Sequence, residues 1–353
     1  MDICRIPSNT GVSGIGVRVA TYIQACTAFI IALLALAYRP RDVNTESEHR
    51  TKFRPKLKDT VVASNITLCI VSISVVVSAF IVAFNDEGGL TVYHGLITRN
   101  ILQLNVLSLL WIAMSYGVVH VQDYVNFRLN FQNQDTSQSA GAQGPRSSCR
   151  TFWLVVRDAL PFFIAGIVTG SFGIWFWSDQ SRFERYSEGS TCIPQTMYWF
   201  FVPLDSHDTR IRIFFLVNDA LLALPITSPL GAILLSIVAV LLAIALDRLV
   251  FGSTSSSLNN KVPKRPFRGV SLACAVYIFI MAFYIYSTEQ TIRLNQGVLE
   301  DGDEKIWGYG QVLALVAAML TAGKLVFDFC RSALEKNENS GRSGEDKDER
   351  FVL

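Results

Sequence analysis

Charge is what this sequence has least of. Only 17% of its 353 residues are Asp, Glu, Lys or Arg, against roughly 25% in a typical soluble protein. Net charge is +2, and no basic face alternates with exposed aromatics, which argues against nucleic acid as a partner. The seven cysteines fall at irregular spacing without a CxxC pair, which argues against a zinc module or a disulfide scaffold. No internal repeat is visible, which weakens an inverted-repeat transporter. Gly11-Val-Ser-Gly14-Ile-Gly16 has neither a preceding strand nor a Walker lysine, so it reads as a flexible lead into a membrane segment rather than a phosphate loop. No cofactor and no metal is expected.

What the sequence has instead is apolar length. Half of it is hydrophobic, mean hydropathy is +0.34, and the apolar residues gather into long blocks. A bilayer core of about 30 Å needs roughly 20 apolar residues as helix, because every backbone polar group there must be paired within the segment. Blocks near that length are Val19–Tyr38, Val61–Phe84, Asn100–Val119, Ala159–Trp177, Ala220–Leu246, Val270–Thr288 and Ile306–Gly323. The expected fold is therefore all-α, a polytopic bundle of seven transmembrane helices. One extra segment, Ile211–Leu224, is short for a span and precedes Pro225 and Pro229. It is expected to be re-entrant or interfacial, or the upper part of a kinked fifth span; an eighth span would reverse the topology after it. The small-x-small triplet Ala35-Leu36-Ala37 has the form of a signal-peptide cleavage site. The apolar run is too long for that, and a basic cluster follows it.

Loop charge orients the bundle. Arg39, Arg41, Arg50, Lys52, Arg54, Lys56 and Lys58 follow span one, and Lys261, Lys264, Arg265 and Arg268 precede span six. Acids gather in the alternate loops, at Asp86, Glu87, Glu300, Asp301, Asp303 and Glu304. The positive-inside rule places the basic loops in the cytosol. That gives a lumenal or extracellular N-terminus (1–18), a membrane domain (19–330) and a disordered cytosolic tail (331–353), in the endoplasmic reticulum or the plasma membrane. Cys4 and Cys192 then share the oxidising side, as a disulfide or as two free thiols. Cys149 and Cys330 near the cytosolic face are palmitoylated or ordinary free thiols. The sequon Asn65-Ile-Thr67 lies inside span two and is expected to be silent. The polar stretch Asn126–Ser148 reads as a disordered loop.

Ionisable groups inside apolar blocks are the informative ones, because lipid makes them expensive. Arg157 with Asp158, Lys324 with Asp328, and Asp247 with Arg248 read as snorkelling groups or helix-end pairs. Asp219 follows Asn218 in Phe214-Phe-Leu-Val-Asn-Asp-Ala-Leu-Leu-Ala-Leu224, with no cation within four residues. A carboxyl without a partner there has its charged form disfavoured and can serve as a proton donor; the alternative is a wet, ordinary Asp at the interface. Glu289 closes span six on the same side, so the two acids are expected to face one site. Gly166, Gly170 and Gly173 make a small-residue stripe on span four that admits a close neighbouring helix. Trp175, Trp177, Tyr198, Trp199, Phe200, Phe201, Phe214, Phe215 and Tyr286 divide between an aromatic belt and the lining of a pocket.

Three stretches carry a resemblance: Gly14-Ile-Gly16-Val-Arg18, Thr288-Glu289 with Ile292 and Asn295, and Gly310-Gln311 with Ala314-Leu315. They resemble a large group of fungal multi-pass membrane proteins, most of them without assigned function, and the chain is loosely similar to fungal membrane-bound terpene cyclases of meroterpenoid biosynthesis. That resemblance implies acid-initiated cyclisation of a lipophilic prenylated epoxide. It makes Asp219 the expected general acid, with Glu289 and Asn218 as its partners. The competing expectation is a receptor-like or non-catalytic membrane protein, although neither a DRY-like triad nor an NPxxY-like sequence is present. The bilayer is the partner in either case.

Overall fold

The computed structural model describes residues 6, 13–37, 48–84, 90–135, 146–178, 183, 196–227, 267–299, 311–312, 314–328 and 330–331. The chain is mostly helical: α1 (Ile15–Ala37), α2 (Glu48–Phe84), α3 (Val92–Asp135), α4 (Arg146–Ser178), α5 (Thr209–Thr227), α6 (Phe267–Asn295) and α7 over 314–328. Among the described residues, four stretches are long and apolar enough to cross a membrane, namely Ile15–Leu34, Asp59–Phe84, Val92–Ser115 and Leu160–Ser178. The architecture is that of a multi-pass helical membrane protein. Several hydroxyls inside these stretches are satisfied locally, Thr21 donating to the Val17 carbonyl, Ser72 to Leu68 and Ser108 to Leu104, each reaching back one turn.

The all-α expectation needs one correction. Between α4 and α5 lies a two-stranded antiparallel hairpin, β1 (Met197–Phe200) and β2 (Val202–Asp205), with Phe200 opposite Val202. Its aromatic and β-branched residues favour extended backbone, and four-residue strands fall below any membrane-span pattern. Asp208 caps the start of α5, its Oδ1 accepting the Arg210 amide at 2.8 Å. Thr91 caps α3, its hydroxyl oxygen accepting the His94 amide at 3.3 Å. Both bonds satisfy amides that a first helical turn leaves unpaired.

Side-chain bonds fix the direction of every helix. At the hairpin end of the bundle Arg18 of α1 meets Glu289 of α6, and the Gly16 amide donates to Gln311, in the helical turn that leads into α7. Also there, Tyr198 of the hairpin donates to Asn100 of α3, Arg212 of α5 donates to the Trp177 carbonyl ending α4, and Phe84 ending α2 lies against Trp175. At the opposite end Thr60 of α2 donates to Asp328 of α7. The helices therefore alternate in direction, with α1, α3, α5 and α7 running away from the hairpin.

The segment Ile211–Leu224 is part of α5, a 19-residue helix about 28 Å long at 1.5 Å per residue, which continues past Pro225. It runs antiparallel to α4, with Gly173 and Gly170 against Asp219, Gly170 against Ala223, and Gly166 against Leu222. The small-residue stripe expected to admit a neighbour does so. The remainder of the expected fifth span, residues 228–246, lies outside the described residues.

Three clusters of core result among the described residues, the smallest of them Ala32, Trp111 and Tyr277. Near the hairpin, Tyr93, Leu96, Ile97, Phe172, Phe176, Trp177, Tyr198 and Phe215 pack together. Deeper, Ala28, Leu68, Val106, Leu109, Ala165 and Leu325 join α1, α2, α3, α4 and α7. The span part of α3 is the most enclosed, 83% buried, so it is the central helix and its polar residues face protein.

Candidate functional site

The polar centre of the molecule grows from α3. The stretch Leu96-Ile-Thr-Arg-Asn-Ile-Leu-Gln103 places Arg99 and Gln103 four residues apart on one helix face. Arg99 Nε donates to Asp219 Oδ2 at 2.8 Å, and Nη2 donates to Oδ1 at 2.9 Å. Gln103 Nε2 donates to the same Oδ1 at 2.8 Å, and Asn218 Nδ2 at 3.2 Å. The Asp219 side chain is 0% exposed and that of Arg99 2%. The guanidinium carbon stands 4.2 Å from the centre of the Phe215 ring and 5.9 Å from that of Trp177, while the two rings stack on each other. A fork-to-fork pair of this kind is the strong form of the carboxylate–guanidinium bond, and the ring beneath adds attraction to the cation.

Room for the carboxylate is made by glycine. A methyl on Gly173 would overlap the Asp219 carboxyl group, and one on Gly170 would overlap the α5 backbone at Asp219 and Ala223. The stripe therefore does more than allow close packing, since it opens the socket that holds the acid.

A second polar set ties the hairpin to α6. Ser287, Thr291 and Asn295 stand four residues apart on one helix face and meet alternate residues of β1. The Ser287 hydroxyl donates to the Trp199 carbonyl at 2.6 Å, and the Trp199 amide donates to Thr291 Oγ1 at 3.1 Å. Asn295 closes a two-way bond with Met197, accepting its amide at 3.0 Å and donating to its carbonyl at 2.7 Å. Four helical residues rise about 6 Å and two strand residues about 6.8 Å, so the spacings match. On the inner side, Tyr198 Oη donates to Asn100 Oδ1 at 2.9 Å, linking the hairpin to the residue beside Arg99. Burial pushes the Tyr198 phenol up to about 12, so it remains a donor.

A third set lies at the rim. Arg18 Nη1 donates to both oxygens of Glu289, at 2.6 and 2.8 Å, and Tyr22 Oη donates to Oε1 at 2.8 Å. Arg18 is buried, whereas the Glu289 side chain is 46% exposed. Together with the Gly16–Gln311 bond of 2.9 Å, this cluster joins all three stretches that carry the sequence resemblance.

Set against the sequence, Asp219 and Asn218 do meet, but Asp219 does not lack a cation. Its partner, Arg99, comes from 120 positions away along the chain. Glu289 is bonded to Arg18 and Tyr22 on the α1–α6 pair, a different set of partners from those of Asp219. Arg99, Gln103 and Arg18 were not legible as partners. The available signal was that Arg99 is a basic residue with apolar stretches on both sides, as Asp219 is an acidic one. Of the expected disulfide, Cys4 and Cys192 lie outside the described residues, as do Asp247, Arg248 and the side chains of Cys149, Arg157 and Asp158. Cys330 is an exposed free thiol. Asn65 is buried within the bundle, as a silent sequon requires. The aromatics separate as well: Trp177, Tyr198 and Phe215 are core, whereas Phe201, Phe214 and Tyr286 are exposed. Compared with family models, curated proteins and solved structures, the chain matches none.

Proposed function

We propose that the chain is a receptor-like, non-catalytic membrane protein whose helices are held in register by the buried Arg99–Asp219 pair. The observation that carries this reading is the occupancy of the Asp219 carboxylate. Both oxygens accept bonds from Arg99, and one also accepts from Gln103 and Asn218, in a socket closed to solvent. A general acid must present a proton to substrate, and this group is surrounded by donors. The seven described helices, which alternate in direction, support seven crossings, and the basic loops support cytosolic placement of the end opposite the hairpin. An N-terminus on the lumenal or extracellular side and residence in the endoplasmic reticulum or plasma membrane follow from the same reading.

A terpene cyclase acting on a lipophilic prenylated epoxide is the second reading, and Glu289 is what favours it. That carboxyl is half-exposed, is oriented by Tyr22 and Arg18, and lies on α6, the helix that also carries Phe283 and Tyr286. Ring faces of this kind stabilise developing cations. Microsomes carrying the protein, given a panel of epoxyprenyl aromatics, separate the two readings. No conversion is expected. Cyclised product that disappears in Glu289→Gln or Asp219→Asn would establish the cyclase and overturn the non-catalytic reading.

A further inference from the structure

The hairpin tip carries a feature that neither the polar core nor the rim explains. Phe201, the residue between the strands, has φ 62°, a left-handed backbone that costs a bulky side chain free energy and that glycine would adopt freely. Its side chain is 61% exposed, and Val202, Phe214 and Tyr286 are exposed beside it. The rings are in mutual contact: Phe201 with Phe283 at 4.4 Å, Phe200 with Phe214 at 5.8 Å, and Trp199 with Tyr286 at 4.8 Å. From Thr196 to Leu204 there is no charged residue. The charged positions Asp205, Asp208 and Arg210 all come after the tip, at its base.

The apolar patch does not stop at the tip. It continues along α5 through Ile213, Val217 and Leu221, and along α6 through Phe279, all exposed. Opposite faces of those helices carry the bonded polar residues: Asp219 on α5, and Ser287, Thr291 and Asn295 on α6. An outer face of aliphatic and aromatic side chains over a polar inner face is the arrangement of a helix against lipid. The hairpin lies along the last turns of α6, Met197 at Asn295 and Trp199 at Thr291 and Ser287, so that its tip meets Phe283 and joins that outer face.

We propose that the β1–β2 hairpin is a lipid anchor whose tip, Phe201 with Val202, inserts into the interfacial region of the bilayer beside Phe214 and Tyr286. Aromatic rings are favoured at that depth, and their burial there offsets the backbone strain at Phe201. Strand alternation splits the hairpin between two partners: Tyr198 points into the core and bonds Asn100, while Phe201 points to lipid. The anchor fixes the depth of the bundle and, through Tyr198, is mechanically continuous with the Arg99 region.

The test uses the full chain in proteoliposomes of phosphatidylcholine doped with a phospholipid carrying a diazirine near its headgroup, with adducts mapped by peptide mass spectrometry. Lipid adducts on Phe201 or Val202, and on Phe214 or Tyr286, are expected. In parallel, Phe201→Cys and Val202→Cys are compared with Thr209→Cys for reaction with a water-soluble maleimide in the same vesicles. Native thiols do not interfere, because each site is read by its own peptide. The tip cysteines are expected to react at least tenfold more slowly than position 209. Absence of lipid adducts at 201–202, or tip cysteines as reactive as position 209, overturns the proposal.

Discussion

Arg99 and Asp219 are each expensive to place in an apolar bundle, and each is placed only because the other is there. A buried pair is weak as a source of net stability, yet removing one partner leaves an uncompensated charge. Glu289 differs, because half of its side chain faces solvent and its bond to Arg18 is screened. Glu289→Gln is therefore expected to cost no more than about 1 kcal/mol, read as a small shift in thermal unfolding of the detergent-solubilised protein. Tyr198 gives a pH signature. Its phenol rises from the ordinary 10 to about 12 through burial, so the folded state favours the neutral form more than the unfolded state does. That contribution is complete below pH 10 and is lost as pH climbs through the interval up to about 12. Stability that falls over this interval in the native chain, and falls less in Tyr198→Phe, is the expected outcome.

At the scale of elements, two spacing rules build the site. Gly166, Gly170 and Gly173 bring α5 against α4, and the last of them is where the acid sits. Gly173→Ala forces a methyl onto the carboxylate and is expected to destabilise by about 1–3 kcal/mol, whereas Gly323→Ala, a helical site that meets nothing within 4 Å, is expected to stabilise by about 0.5–1 kcal/mol. Melting curves of the two variants side by side make the comparison. Ser287, Thr291 and Asn295 bind the hairpin to α6, and Asn295→Ala removes both bonds to the Met197 backbone. A loss of about 1–2 kcal/mol and faster proteolysis between Thr196 and Asp208 are expected. The apolar length of the helices and the glycine stripe could be read in the sequence, because hydropathy and small-residue spacing are local. The hairpin could not, since four-residue strands leave no periodic signal in an aromatic-rich stretch. Neither could the partner of Asp219. Charge pairing across 120 positions has no local trace, and a span drawn from Asn100 leaves Arg99 just outside it.

At the scale of the whole molecule, the helices alternate in direction, and the polar residues form one connected system from the hairpin through Asn100 to the neighbouring Arg99. The rim pair of α1 and α6 closes the same end from the other side. This distribution is what a protein needs when its helices must keep a defined relation within lipid, where apolar contact alone does not select one partner over another. On the proposed reading, the Arg99–Asp219 pair acts as a structural lock between α3 and α5. A double-mutant cycle on Arg99→Met and Asp219→Leu, read by thermal unfolding in detergent, tests this most directly. Each single variant is expected to lose about 3–5 kcal/mol, and the double variant to recover much of it by replacing two charges with apolar side chains of similar volume. Single losses that simply add in the double variant would contradict it.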